Sequence, residues 1–343
     1  MDTDVLVVGG GPVGLAAAVE ARRRGHEVVV LEPRPGTVDK ACGEGLMPGA
    51  LRLLQEWEID PPGHPLAGIS YRSPAGHVDH RFRGASGRGV RRTALHDALR
   101  ERAAALGATT VTGRADDVRV TPRGVEVAGI SARHLLACDG LHSTVRRLVG
   151  LEAPPPARRA GREDRRRYGL RRHYRLAPWT DLVEVHWSPV AELYVTPVGP
   201  DLVGVALLGP RGASLESALA ALPELAARLE GATAGPVRGA GPLRQRSTRR
   251  TAGPVRLVGD ASGYVDALTG EGLRVGFAQA RAAVATLDDA AAYERAWWAA
   301  TRDYRILTSA LVAWAASPLR PALVPVARRS PALFAAAVER LAG

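Results

Sequence analysis

Lysine is nearly missing from this chain. Lys40 is the only one among 46 lysines and arginines in 343 residues. Phenylalanine (3), methionine (2) and cysteine (2) are also scarce. Cys42 and Cys138 cannot build a disulfide framework, and their separation is not a metal-ligand spacing, so no metal site is expected. No uninterrupted apolar stretch reaches the length needed to span a bilayer; 306–327 comes closest, but Pro318, Arg320, Pro321 and Pro325 interrupt it. The chain opens directly on an apolar strand-like run, so no secretory leader is expected. These absences lead us to expect a cytoplasmic protein without membrane contact. Acids are outnumbered too, leaving a net charge of +11. The densest basic run, 158–175, matches no nucleic-acid motif, so no nucleic-acid partner is expected.

What the sequence does have begins at its N-terminus. Asp4–Val8 is almost wholly apolar, Gly9-Gly10-Gly11-Pro12-Val13-Gly14 follows, an Ala-rich segment runs to Arg24, and the apolar run Val28–Leu31 ends at Glu32. The order is strand, glycine turn, helix, strand, acid. Gly9 lets the chain turn sharply out of the strand, Gly11 lets backbone approach a pyrophosphate, and Gly14 lets the helix pack closely on the sheet. The free N–H groups of the helix N-terminus then face the phosphates. Glu32 lies eighteen residues beyond Gly14, where a carboxylate can reach an adenosine ribose. A dinucleotide site is expected here.

Beyond Glu32 come Pro33 and Arg34, then Lys40-Ala41-Cys42-Gly43-Glu44-Gly45. Glycines on both sides of a single acid suggest backbone running close to something flat. Pro48–Glu58 reads as a helix, Gly68–Phe82 as a hairpin, and Thr93–Leu106 as a helix ended by Gly107. Short strands follow, the last of them Ala132–Cys138, leading into Asp139-Gly140. The proline-rich stretch at 154–156 looks like a boundary. From 167 to 208 the pattern is that of an antiparallel sheet. Leu215–Leu229 reads as one amphipathic helix. The buried-type strand Val255–Val258 ends at Gly259-Asp260, and an Ala-rich helix starts near Leu273. The remaining chain is helical with proline breaks.

Three motifs then fall into register: Gly9-x-Gly11-x-x-Gly14 with Glu32; Cys138-Asp139-Gly140 continuing to Val145-Arg146; and Gly259-Asp260 followed by Leu268-Thr269-Gly270-Glu271-Gly272. Together they resemble the FAD-dependent flavoproteins of the para-hydroxybenzoate hydroxylase and geranylgeranyl reductase superfamily, over residues 1 to about 285. The resemblance implies an α/β protein: a Rossmann-like FAD-binding domain of the glutathione-reductase type, an inserted antiparallel-sheet substrate domain, and C-terminal helices. The expected boundaries are 1–66, 90–150 and 250–290 for the FAD domain, 67–89 and 160–249 for the substrate sheet, and 291–343 for the helical segment. It also implies cofactor contacts from Gly9, Gly11, Pro12, Val13, Gly14, Glu32, Pro33, Arg34, Lys40, Gly43, Arg92, Asp139, Gly140, Gly259 and Asp260. The backbone at Gly270, Glu271, Gly272 and Leu273 would face the flavin N1/C2 carbonyl, where aligned N–H groups stabilise the charge of reduced flavin.

The activity implied first is an NAD(P)H-driven monooxygenase, with NADH or NADPH binding only transiently. It would hydroxylate an apolar, aromatic or polyketide-type small molecule through a flavin C4a-hydroperoxide. His186, Trp187, Tyr194 and Thr196 are candidates for lining the substrate pocket. A second activity is reduction of an isoprenoid or other C=C bond by reduced flavin, with Cys42 or Glu44 as the general acid. A third possibility is a flavin-binding sensor without turnover. The Trp-x-Trp-x-Ile-Pro motif of flavin halogenases is absent, with His186-Trp187-Ser188-Pro189 in its place.

Overall fold

The computed structural model describes residues 2–154, 166–189 and 191–343. Pro155, Pro156 and the arginine-rich 158–165 lie outside the described residues. Along the chain, β1 (Thr3–Val8), α1 (Pro12–Arg23), β2 (Val28–Glu32) and α2 (Pro48–Glu56) come first. The hairpin β3 (Gly68–Ser73) and β4 (Gly76–Arg81) is followed by α3 (Arg92–Ala105), β5 (Thr109–Thr112) and β6 (Ile130–Ala137). Next are β7 (Arg167–Arg175), β8 (Leu182–Trp187), β9 (Glu192–Gly199), β10 (Leu202–Pro210) and β11 (Val255–Leu257). The helices α4 (Gly272–Ala285), α5 (Ala290–Ala315) and α6 (Pro331–Ala342) complete the main elements.

The first sheet has the order β11–β6–β1–β2–β5, parallel throughout this path, with short antiparallel strands at its margins. Its central strands are apolar on both faces because both are covered: Val5, Leu6 and Val7 are fully buried. On one face α1 presents Ala16, Ala17, Ala18 and Ala21, small side chains that allow close helix–sheet approach, alongside Leu95 and Leu99 of α3 and Phe277 of α4. Trp57 fills the end of this core edge-on to Phe277, its indole N–H donating to Glu20 at 2.8 Å.

The second sheet runs β7–β10–β9–β8–β3–β4 in its main part. It differs from the antiparallel expectation at one seam: β8 pairs with β3 in parallel. The hairpin reaches this sheet early, and β8 arrives only after the chain has passed through α3, β5 and β6. So long a crossover permits parallel pairing, which a tight turn cannot. The expected single helix at 215–229 is two, Leu215–Ala220 and Pro223–Leu229. Pro223 has no N–H to continue the ladder and its ring crowds the preceding turn, so a helix restarts there. A small three-stranded sheet, Gly45–Leu46, Gly87–Gly89 and His64–Leu66, was not expected. It carries the chain from the glycine-flanked acid into α2.

The C-terminal helices close the molecule. Tyr293 and Trp297 of α5 enter the first core, while Ala315 of α5 and Ala342 of α6 cover the second sheet. Among the described residues no single helix is long and apolar enough to cross a membrane. Ala290–Ala315 with Arg320–Arg329 passes that test only as a pair bent by 118°.

Candidate functional site

The glycine turn after β1 is built by exclusion. A Cβ on Gly14 would lie 1.9 Å from the Gly9 carbonyl oxygen, and one on Gly9, whose φ is +103°, would lie 2.6 Å from the Cys138 oxygen. Only glycine fits either position. Gly11 is different: the Arg92 guanidinium, 3.9 Å away, is its sole neighbour, so backbone here opens on a cleft. No side chain caps α1, which begins with Pro12, Val13 and Gly14. Its first N–H groups are therefore available to an anion.

Glu32 ends β2, buried beside this turn. Its carboxylate accepts from the Gly10 N–H at 2.8 Å and the Arg34 Nε at 2.7 Å. Burial raises this carboxyl, but the Arg34 hydrogen bond and the Gly10 N–H outweigh it, holding the group below its ordinary value. Pro33 leads into the loop. Lys40 stands exposed in the cleft near Gly140, its ammonium without a hydrogen bond or ion pair among the described residues. Partial desolvation lowers its ammonium, as do Arg34 and Arg92, while Asp260 and Glu32 pull the other way. Arg92 begins α3, and its Nε is buried without a partner.

Two strand ends face the same cleft. After β6, Asp139 accepts from the Val145 N–H at 3.0 Å, in the first turn of the short helix capped by Ser143, leaving its other oxygen buried and unpartnered. After β11, Gly259 donates its N–H to Gln279 at 2.7 Å, and the Asp260 carboxylate makes no hydrogen bond or ion pair among the described residues. Burial raises the Asp260 carboxyl against the pull of Lys40 and Arg92. Gly270 is exposed, with φ +71°, just before the uncapped N-terminus of α4. Three cations, an open glycine turn, two uncapped helix ends and unpartnered polar atoms therefore share one cleft. This donor set fits a cofactor with a diphosphate and polyhydroxyl chain.

The two candidate acids of the glycine-flanked loop differ in their surroundings. Glu44 has φ +61°, is 3% exposed and has both oxygens engaged. One accepts from the Arg92 backbone N–H at 2.8 Å, and the other meets His173 Nε2 at 2.6 Å. His173 contacts Arg171 at 2.9 Å, and Arg171 pairs with Asp39. Glu44 thus ties the loop to α3 and to β7. Cys42 is half-buried, its sulfur accepting weakly from the Glu44 N–H at 3.4 Å, and burial raises its thiol.

Beside Gly270 lies a cavity of about 50 Å³. Met47, Tyr71, Val183, Val185, Tyr194 and Leu268 form most of its wall, with Glu271 as its one carboxylate. Strand parity explains the choice. Val183, Val185 and Trp187 share one face of β8, and Tyr194 lies opposite Val185 on β9. Tyr194 lines the cavity and donates to the Leu268 carbonyl at 2.7 Å. Trp187 packs behind it against Tyr71, ring centres 5.5 Å apart and planes tilted by 57°. Thr196 is on the same side but donates to the Gly43 carbonyl at 2.9 Å, so it faces the cofactor loop. His186 projects from the opposite face, paired with Glu184 at 2.9 Å, and does not line the cavity.

Sequence reasoning missed Tyr71, Val183, Val185, Arg171 and His173. Val183 and Val185 were open to detection from the period-2 spacing of β8, had its inward face been known. Tyr71 joins the site through the β3–β8 pairing, which no local pattern announces.

Residues 2–161 match the family described as FAD binding domain. A Mycobacterium tuberculosis (strain CDC 1551 / Oshkosh) menaquinone reductase is 33% identical over 164 residues, which cover 43% of this chain and 40% of that protein. The rifampicin monooxygenase of Streptomyces venezuelae is 32% identical over 169 residues, covering 44% of this chain and 34% of the relative. The chain thus aligns with less than half the length of these curated relatives. A flavin-dependent brominase, Bmp2 in a triple-mutant form, superposes with a TM-score of 0.80 at 15% identity, covering 99% of this chain and 94% of that one, a likeness of fold alone. Residues 2–161 are thus similar to an FAD-binding domain, and the chain as a whole, a glycine-turn α/β sheet packed against a second sheet, shares the fold of a flavin-dependent enzyme.

Proposed function

We propose that the protein is an NAD(P)H-driven flavin monooxygenase acting on a small apolar or aromatic molecule. The observation that carries this reading is the aromatic-lined cavity against Gly270. At about 50 Å³ it exceeds several-fold the ~10–15 Å³ that one water needs. It is small for a long prenyl chain. Its wall is apolar apart from Glu271, Thr269 and the phenols of Tyr71 and Tyr194.

Gly9, Gly11 and Gly14 with the α1 N-terminus would hold the FAD pyrophosphate, supported by Arg34, Lys40 and Arg92. Glu32 would take the adenosine ribose and Asp260 the ribityl chain. Asp139-Gly140 and Gly43 would border the flavin. The N–H groups of Gly272 and Leu273 would meet its pyrimidine edge. When bound, FAD supplies electron transfer from NAD(P)H to O2 and delivery of one oxygen atom. The chain's own part is to orient the ring between Tyr71, Tyr194 and Val185 and to keep water away from it. Glu44 is a positioning residue in this reading, and so is Thr196, which holds the Gly43 carbonyl.

A second reading is reduction of a C=C bond by reduced flavin, favoured by the similarity to menaquinone reductases. One experiment separates the two. The FAD-loaded protein is given NADH or NADPH, 18O2 and a panel of single-ring phenols, then a menaquinone under anaerobic conditions. A monooxygenase places one 18O in the product and needs O2. Saturated menaquinone product without O2, and no labelled phenol product, would replace this reading with the second.

A further inference from the structure

Glu271 is an anomaly in the cavity wall. It is 1% exposed, at the turn before α4. One oxygen pairs with Arg274 on the same helix, while Oε1 is buried with no hydrogen-bond partner. Native structures leave few such atoms unsatisfied, and each calls for a physical explanation. Glu271 is also the sole carboxylate among the cavity's lining residues. Across the same cavity stands Tyr71, whose hydroxyl has no partner among the described residues. A built cavity with one unsatisfied acceptor is shaped for a ligand that brings a donor.

We propose that Glu271 is the catalytic base of this site, taking the hydroxyl proton of a phenolic substrate held in the cavity. The inference rests on the monooxygenase reading, since an ionised phenol is the ring most readily oxidised by an electrophilic oxygen. The substrate O–H bond breaks and its electron pair stays on the substrate oxygen. The proton forms a new O–H bond on Glu271, and no electron is transferred. Burial raises the Glu271 carboxyl to about 7 against the pull of Arg274, which poises it between its two forms at neutral pH.

The charged neighbours do not supply a rival base. Tyr71 and Tyr194 are held protonated by burial. Asp266, before the loop, pairs with Arg167 at 2.9 Å. On α6, Glu339 turns to His80 and Arg340 to Asp303, and Arg52 of α2 turns to the Gly343 carbonyl at 3.2 Å.

The test is the pH dependence of phenol binding, read from the visible spectrum of the FAD-loaded protein between pH 5.5 and 8.5. The probe is 4-methylphenol, which stays neutral throughout that range. A neutral phenol donating to ionised Glu271 should bind about tenfold more tightly at pH 8 than at pH 6, the ratio set by one ionisation near 7. In Glu271→Gln the affinity should be flat with pH, and Glu271→Asp should restore a slope. FAD content and melting temperature check that the variants fold. If Glu271→Gln does not fold, the slopes of the native protein and of Glu271→Asp decide. A flat native profile, no phenol binding at any pH, or the same slope in Glu271→Gln would overturn the proposal. Labelled oxygen in the product separates the two levels. Product without the Glu271-dependent slope sinks the base and spares the monooxygenase. The slope without product does the reverse.

Discussion

At Gly14 a single methyl group is too much. Its Cβ would lie 1.9 Å from the Gly9 carbonyl, backbone against backbone, with no flexible atom to yield. Gly14→Ala should therefore cost about 3 kcal/mol or more and abolish FAD retention, checked by thermal melting and by flavin absorbance after desalting. Glu271 makes a prediction of opposite sense. Its carboxyl rises from 4.5 to about 7 on folding, so the folded state prefers the protonated form. That preference is fully present below pH 4.5 and is lost as pH climbs through 7, on the order of 3 kcal/mol in all. Relative to the native protein, Glu271→Gln should gain stability between pH 5 and pH 8, a trend that melting curves across that range would show or refute. The glycine pattern and the acid after β2 are legible in sequence because each obeys a local rule. Glu44 obeys none. Its glycine flanks suggested an acid offered to a ligand, yet the fold spends both oxygens on Arg92 and His173. Those partners are 48 and 129 residues away in the chain.

Among the elements, β8 shows what periodicity can and cannot give. Alternation places Val183, Val185 and Trp187 on one face and Glu184 and His186 on the other, but only the neighbouring strand and helix decide which face is inward. His186 was a candidate alongside Trp187 because alternation alone leaves the inward face open; it pairs with Glu184 on the face away from the cavity. The parallel seam with β3 was equally hidden, since pairing direction follows from the whole path of the chain. The far end of this sheet carries a testable junction. Glu192 is fully buried, and Arg167 and Arg320 both pair with it, at 2.5 and 2.6 Å. Arg320 also lies over Trp187, 5.5 Å from its ring centre. It thus anchors the segment after α5 to the sheet behind the cavity. Arg320→Ala should lower stability by about 2–3 kcal/mol, because it leaves a buried carboxylate with one partner fewer. The loss should be measurable by urea unfolding, and Arg320→Lys should recover only part of it.

For the whole molecule, two sheets meet where the cofactor loop, the α4 N-terminus and the C-terminal helices converge. The cleft on one side is cationic and open; the cavity on the other is apolar and small. The separation into a mostly parallel sheet and a second, mostly antiparallel one was readable from motif order, since strand–glycine–helix units and alternating strands occupy separate stretches. The cavity itself was not, because its wall is gathered from β3, β8, β9, the Gly270 loop and α6. The cationic cleft also predicts a salt dependence. Raising ionic strength from 0.05 to 0.5 M should weaken FAD retention several-fold through screening of Arg34, Lys40 and Arg92, as equilibrium dialysis would show.

Lys40 gives this cleft an unusual handle. An arginine-rich protein with one ε-amine, and that amine in the cleft proposed for the nucleotide, can be acylated at a single side chain. Amine-reactive dyes, biotin esters or activated sensor surfaces would all attack the same spot, apart from any terminal amine. A filled cleft should slow that attack, and an empty one should leave it fast. Labelling yield then becomes a direct gauge of how many molecules carry their flavin. Conversely, coupling to a surface through this residue would select molecules with an empty cleft and hold each of them by it.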